Sequence, residues 1–170
     1  ILISSLFEGY VDDGVTSIGV FDARIPVSVI LYDLIPLIYK NKYLDPNELF
    51  KQHYLRKIKY LKRASILLSI SESSRIEAIE LLRFSEDKVI HISSAVDSRF
   101  RQLPIKEDDE RAILKKFRIS KPFVMYTGGI DFRKNIEGLI VAYSRLPLNL
   151  RSNHQLVIVC NVTERDFQGL

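Results

Sequence analysis

Apolar residues fall in short unbroken runs, separated by longer stretches where they recur at every third or fourth position. Residues 26–31 (Pro-Val-Ser-Val-Ile-Leu) form a largely β-branched run, which predicts a strand buried on both faces of a parallel sheet. The run stops at Tyr32-Asp33, and Pro36 predicts a break in regular structure just after it. Residues 1–3 are a short strand candidate, followed by Ser4-Ser5-Leu6-Phe7-Glu8-Gly9 and a polar loop through Asp12, Asp13 and Gly14. Residues 64–70, 88–93, 122–126 and 156–160 are the remaining strand candidates.

Helical spacing fills the gaps between strands. Asp45-Pro46-Asn47-Glu48 reads as a helix start, with Asp45 as cap, Pro46 in the first position and Glu48 as the capping-box carboxylate. Phe50, Tyr54, Ile58 and Leu61 then share one face, which puts Lys51, Arg56, Lys57, Lys59 and Lys62 on the solvent side. Ser71 is expected to cap a helix that turns Ile76, Ile79 and Leu82 inward. Shorter helices are expected over 111–117 and 134–146. Strand and helix alternate, so the fold class is α/β with parallel sheets.

The count of strands limits what the chain contains. About four fall before residue 100 and two after 121, whereas a complete doubly wound sheet has about five or six. Residues 99–109 carry Pro104 and a cluster of charges and read as a connector. The division expected is 1–104, a connector with a short helix at 105–121, and 122–170, with both sheets incomplete. The chain opens directly on a strand-like run without a basic leader, so it is expected to be a piece of a larger two-domain protein.

Composition changes this picture little. Of 170 residues, 46% are hydrophobic and 27% charged, a globular balance, and the longest apolar stretch is too broken to span a bilayer. A single cysteine, Cys160, excludes intramolecular disulfides and multi-cysteine metal sites; it is expected to be buried, in a cytoplasmic protein. The net charge of +4 is concentrated, with eight cations from Lys40 to Arg63 against Asp45 and Glu48. That stripe is read as a solvated face. Its functional alternative is peripheral contact with anionic lipid at the inner face of a membrane, through the helix from Lys51 to Arg63. Nucleic acid is not an expected partner, because Phe50 and Tyr54 are required inward and leave few aromatic rings for stacking.

Two segments could carry chemistry. In residues 123–135 a strand ends at Gly128-Gly129, and Arg133 and Lys134 stand where a helix begins. Glycines allow close backbone approach, and free N–H groups and two cations make a plausible phosphate or diphosphate site; a tight turn with solvated cations is the plainer reading. Lys134 is followed by Asn135, so this is not a P-loop, and a third glycine for a dinucleotide fingerprint is missing. The second segment is Tyr32-Asp33, at the carboxyl end of a strand where open α/β sheets bind ligands; there Asp33 could accept hydrogen bonds from sugar hydroxyls or simply initiate a turn. No metal-ligand spacing is present, and His53, His91 and His154 read as structural.

Taken in order, these segments resemble glycosyltransferase family 4, the retaining enzymes of GT-B fold. Ser4-Ser5-Leu6-Phe7-Glu8-Gly9 is similar to an acceptor-side glycine loop, and residues 29–36 to a His-Asp-Leu-x-Pro segment with Tyr32 in place of histidine. Residues 70–75 are similar to a Ser-Glu-x-Ser helix start, 92–97 to an Asn-Gly-Val-Asp turn, and 126–135 to the start of a donor domain. The resemblance implies that 1–104 is the latter part of an acceptor-side Rossmann-like domain, and that 122–170 starts the nucleotide-sugar domain. It implies transfer of a hexose from a nucleotide sugar to a saccharide or lipid-linked acceptor, in polysaccharide or glycoconjugate synthesis, without metal or other cofactor. Arg133, Lys134, Gly128 and Gly129 would hold the donor diphosphate, Asp33 and Tyr32 would stand at the reaction centre, and Glu8 and Gly9 on the acceptor side. Gly129 stands where several relatives carry Arg. The donor-domain glutamate pair would lie beyond Leu170, so the isolated chain is expected to be inactive. The alternative is a non-catalytic folding or partner-binding module derived from such an enzyme.

Overall fold

The computed structural model describes residues 1–20, 22 and 24–161. The chain divides into two compact units, Ile1–Phe100 and Arg101–Leu170. In the first, β1 (Leu2–Ile3), β2 (Ser28–Leu31), β3 (Ile66–Ser69) and β4 (Val89–His91) form a parallel sheet in chain order. Register places Ile3, Val29, Leu67 and Val89 in one row across the sheet.

That row faces the core, and the alternate residues do not. Val29, Leu31, Leu67, Ser69 and Val89 are buried, whereas Ile30, Ile66 and Leu68 are half-buried and Ile90 is exposed. The expected burial of β2 on both faces is therefore corrected: among the described residues only one face is covered. A sheet wound in simple order by right-handed crossovers carries all its connections on one side. The core is built there, from the inward strand residues with Tyr54, Ile58, Leu61, Ala78 and Leu82.

Pro36 does not break the chain as expected. It lies in the first turn of α1 (Ile35–Ile38), where a missing N–H is harmless. After α2 (Lys40–Tyr43) comes α3 (Glu48–Leu61), capped by Asn47 rather than Asp45: the Asn47 side chain accepts from the Phe50 N–H at 3.0 Å. Asp45 instead pairs with Lys51 Nζ at 3.0 Å, which raises the lysine's pKa.

Tyr54, Ile58 and Leu61 pack inward as expected, but Lys57 is not on the solvent side. It is only 4% exposed, because the segment after β1 lies along α3. Lys57 Nζ donates to the Thr16 carbonyl at 2.8 Å and to Thr16 Oγ1 at 2.6 Å. Thr16 Oγ1 in turn donates to the Leu6 carbonyl at 2.6 Å. Phe7 stacks on Tyr54 with ring centroids 4.8 Å apart.

Ser71 caps α4 (Glu72–Leu82) through the Ser74 N–H, as the sequence predicts. Ile79 packs against the core and Leu82 is buried. Ile76 is exposed, contrary to expectation, since the buried stripe is Ser74, Ala78 and Leu82 and Ile76 falls on the opposite side of the helix.

In the second unit α5 spans Glu107–Lys116, beginning inside the stretch expected to be a connector. Four acids at 107–110 occupy its first turn and Lys115 and Lys116 its last, the arrangement a helix dipole favours. β5 (Phe123–Thr127) and β6 (Gln155–Val159) pair in parallel. Between them lie α6 (Ile136–Ser144), with Ile136 buried, and α7 (Leu148–Asn153), which the sequence did not suggest. Cys160 is half-buried rather than enclosed. No helix among the described residues is long and apolar enough to cross a membrane.

Candidate functional site

At the carboxyl end of β2 the chain turns sharply, and its polar groups are absorbed in the turn. The Tyr32 carbonyl accepts from Ser74 Oγ at 2.5 Å, leaving the Tyr32 ring exposed. Asp33 Oδ1 accepts from the Ile35 N–H at 3.0 Å, so this carboxylate does initiate the turn. Glu77 of α4 reaches the same turn and accepts from the Leu34 N–H at 3.2 Å. Beneath it lies Tyr54, whose hydroxyl is buried without a hydrogen-bond partner among the described residues. Burial pushes this phenol's pKa well up, and the negative charges of Asp33 and Glu77 push the same way. Glu77 and Tyr54 had no signal in the sequence beyond their places on amphipathic helices.

Glu8 and Gly9 lie on the loop after β1. Gly9 has φ +88°, and a Cβ there would stand 2.0 Å from the Gly14 carbonyl oxygen, so only glycine fits. Asp12 Oδ1 closes this loop, accepting from the Gly9 N–H at 3.0 Å and the Gly14 N–H at 2.7 Å. Glu8 is exposed and accepts from Ser5 Oγ at 2.7 Å. No hydrogen bond or ion pair among the described residues joins Glu8 or Gly9 to Tyr32 or Asp33.

In the second unit β5 ends at Thr127, and the next residue, Gly128, continues the pairing through its N–H to the Val159 carbonyl at 3.1 Å. Tyr126 Oη donates to the Gly129 carbonyl at 2.7 Å and crowds the space a Gly128 side chain would take. Gly129 has open space around it. Arg133 and Lys134 are exposed, but they occupy a 3-10 turn, Phe132–Lys134, rather than the first turn of α6. Asn135, left-handed at φ 50°, separates that turn from the helix. Asp131 caps the turn and also binds Arg133, with Oδ1 2.7 Å from Nε. Lys134 makes no ion pair among the described residues. The unit thus offers a backbone turn, one compensated guanidinium and one uncompensated ammonium, which together suit an anion.

No family model matches the chain. It is similar over its full length to a serotype-specific mannosyltransferase, WbdA, of Escherichia coli, at 34% identity across 171 aligned residues. A second WbdA from the same species matches 95% of the chain at 34% identity. An O-antigen chain mannosyltransferase B, also of Escherichia coli, is 29% identical over 58% of the chain and 26% of its own length. The chain spans about a fifth of the length of the WbdA proteins, 21% and 20%.

Proposed function

We propose that the chain is a segment of a retaining glycosyltransferase of family 4, transferring a hexose from a nucleotide sugar to a saccharide or lipid-linked acceptor during polysaccharide assembly. The observation that carries this reading is the full-length similarity to mannosyltransferases, which takes in both α/β units. Those relatives' names make mannose the hexose of choice. The first unit is then the latter part of the acceptor-side domain and the second the start of the donor domain, in the cytoplasm where nucleotide sugars are made.

In this reading Lys134 and Arg133 face the donor diphosphate, with Gly128 and Gly129 allowing its approach. Departure of a nucleoside diphosphate leaves negative charge on oxygen while the sugar becomes oxocarbenium-like. A fixed ammonium at that oxygen stabilises the transition state more than the ground state. Asp33 holds the turn that presents Tyr32 to the sugar, Glu8 and Gly9 border the acceptor, and no metal takes part. The test is radiolabelled hexose transfer from guanosine and uridine diphosphate sugars by the complete protein carrying this segment. Saturable transfer that depends on Lys134 supports the reading; transfer indifferent to Lys134, Arg133 and Asp33 together removes it.

A further inference from the structure

Lys57 is a buried cation whose acceptors among the described residues are the carbonyl and hydroxyl of one neutral residue, Thr16. No carboxylate lies at ion-pair distance among the described residues. Asp12 and Glu8 are near enough for their charges to reach it, but neither forms an ion pair with it: Asp12 Oδ1 accepts from the Gly9 and Gly14 N–H groups and Glu8 Oε1 from Ser5. Burial holds the ammonium's pKa below the ordinary lysine range, and the Arg56 guanidinium pushes the same way. An ammonium has three N–H bonds, and Thr16 accepts two of them. Fastening the loop to α3 alone would be served by a neutral donor. A buried charge is normally paired, and Lys57 has only the longer-range charges of Asp12 and Glu8 to offset it among the described residues.

The space for one lies alongside. A cleft of about 380 Å³ is lined in part by Gly9, Gly14, Ser17, His53, Arg56 and Lys57, with apolar side chains completing its wall. Arg56 is exposed and makes no ion pair among the described residues; its Nη2 lies 3.4 Å from His53 Nδ1. His53 Nε2 lies 3.2 Å from the Phe7 carbonyl, which can only accept. The tautomer with its proton on Nε2 suits both contacts, donating to Phe7 and receiving Arg56 on Nδ1, so the ring aims the guanidinium. Volume of this order holds more than a bare ion and matches the lower range of small-ligand sites.

We infer that this cleft binds a phosphorylated ligand of sugar size, with Lys57 and Arg56 as the counter-charges of its phosphate. The inference concerns a different set of residues from Arg133 and Lys134, and shares only Gly9 with the acceptor side of the reading above. The phosphate could belong to a soluble sugar phosphate or to a lipid headgroup.

The experiment follows the backbone amide signals of the isotopically labelled protein by nuclear magnetic resonance. Inorganic phosphate, a hexose 6-phosphate, the unphosphorylated hexose, and phosphatidylglycerol or phosphatidylcholine vesicles are added in turn. Saturable shifts at Gly9, Gly14 and Ser17 are expected with hexose 6-phosphate, at least about tenfold tighter than with the hexose. Arg56→Gln, an exposed change that keeps the fold, should raise Kd about tenfold with Tm unchanged. If phosphatidylglycerol vesicles broaden the same signals and phosphatidylcholine does not, the phosphate is a lipid's; if only the sugar phosphate acts, it is soluble. The inference is overturned if no probe gives saturable shifts there, if Arg56→Gln leaves the affinity unchanged, or if the shifts appear at residues 133 and 134 instead.

Discussion

Asp131 Oδ1 lies 2.7 Å from Arg133 Nε and also accepts the Arg133 backbone N–H at 3.0 Å. One carboxylate oxygen therefore fixes both the turn and the guanidinium. Of the two adjacent cations, Arg133 has its charge partly offset and its position set, while Lys134 makes no ion pair among the described residues.

Lys134→Ala in the complete protein should lower hexose transfer roughly a hundredfold, the effect of removing one preorganised charge-stabilising group. Stability should stay within about 0.5 kcal/mol, as for other surface changes. Arg133→Ala should reduce transfer less, because Asp131 already offsets that charge. Initial rates and Tm on the same preparations decide it, and equal activity for wild type and Lys134→Ala takes this lysine out of the reaction.

Gly9→Ala and Gly129→Ala make a matched pair. At Gly9 the left-handed φ and the Gly14 carbonyl 2.0 Å from a Cβ leave no room, so the loop must reshape, with a loss of about 1–3 kcal/mol. At Gly129 nothing lies within 4 Å, and stability should not change. Denaturant unfolding of both variants checks the contrast.

Neighbouring residues of β3 should differ as sharply. Leu67 is fully buried in the row shared by Val29 and Val89, whereas Leu68 points to the uncovered face. Leu67→Ala should destabilise by about 2–5 kcal/mol and Leu68→Ala by less than half as much. Equal losses would mean that both faces of the sheet are packed.

Tyr54→Phe removes a buried hydroxyl without a hydrogen-bond partner among the described residues, so at neutral pH it should be neutral or slightly stabilising. Alkaline pH separates the two proteins. The folded-state pKa of Tyr54 lies above its unfolded value near 10.0. Once pH passes that value the unfolded chain loses the phenol proton first, and wild-type stability falls. The fall attributable to Tyr54 should approach about 1.4 kcal/mol per pH unit and be absent from Tyr54→Phe. Denaturant unfolding between about pH 8 and about pH 11 measures it.

The alternation of strands with helices, the Ser71 cap and the glycine pair after β5 were all legible from local patterns, because neighbours in sequence make those features. Where the reading missed, a distant or competing partner had decided. Asp45 and Asn47 are both good caps, but only Asn47 stands three residues before the N–H it accepts, that of Phe50. Lys57 lay on the basic face by periodicity, yet Thr16, 41 residues earlier in the chain, draws it into the interior. Of the expected site residues, Asp33 and Gly9 could be placed at turns from sequence. That Glu77 shares the Asp33 turn depends on how α4 lies across β2, which no local pattern encodes.

The link between Thr16 and Lys57 also orders events in time. A ribosome adding about 5–20 residues per second makes Lys57 roughly 2 to 8 s after Thr16, from their separation of 41 residues. Through that interval the loop has no complete α3 to lie on, although β2 (Ser28–Leu31) is made before it ends. The Glu8–Gly9 turn therefore takes its final shape only after α3 has left the exit tunnel. A pause within the α3 codons would prolong the period in which nascent residues 4–20 are open to chaperones and proteases.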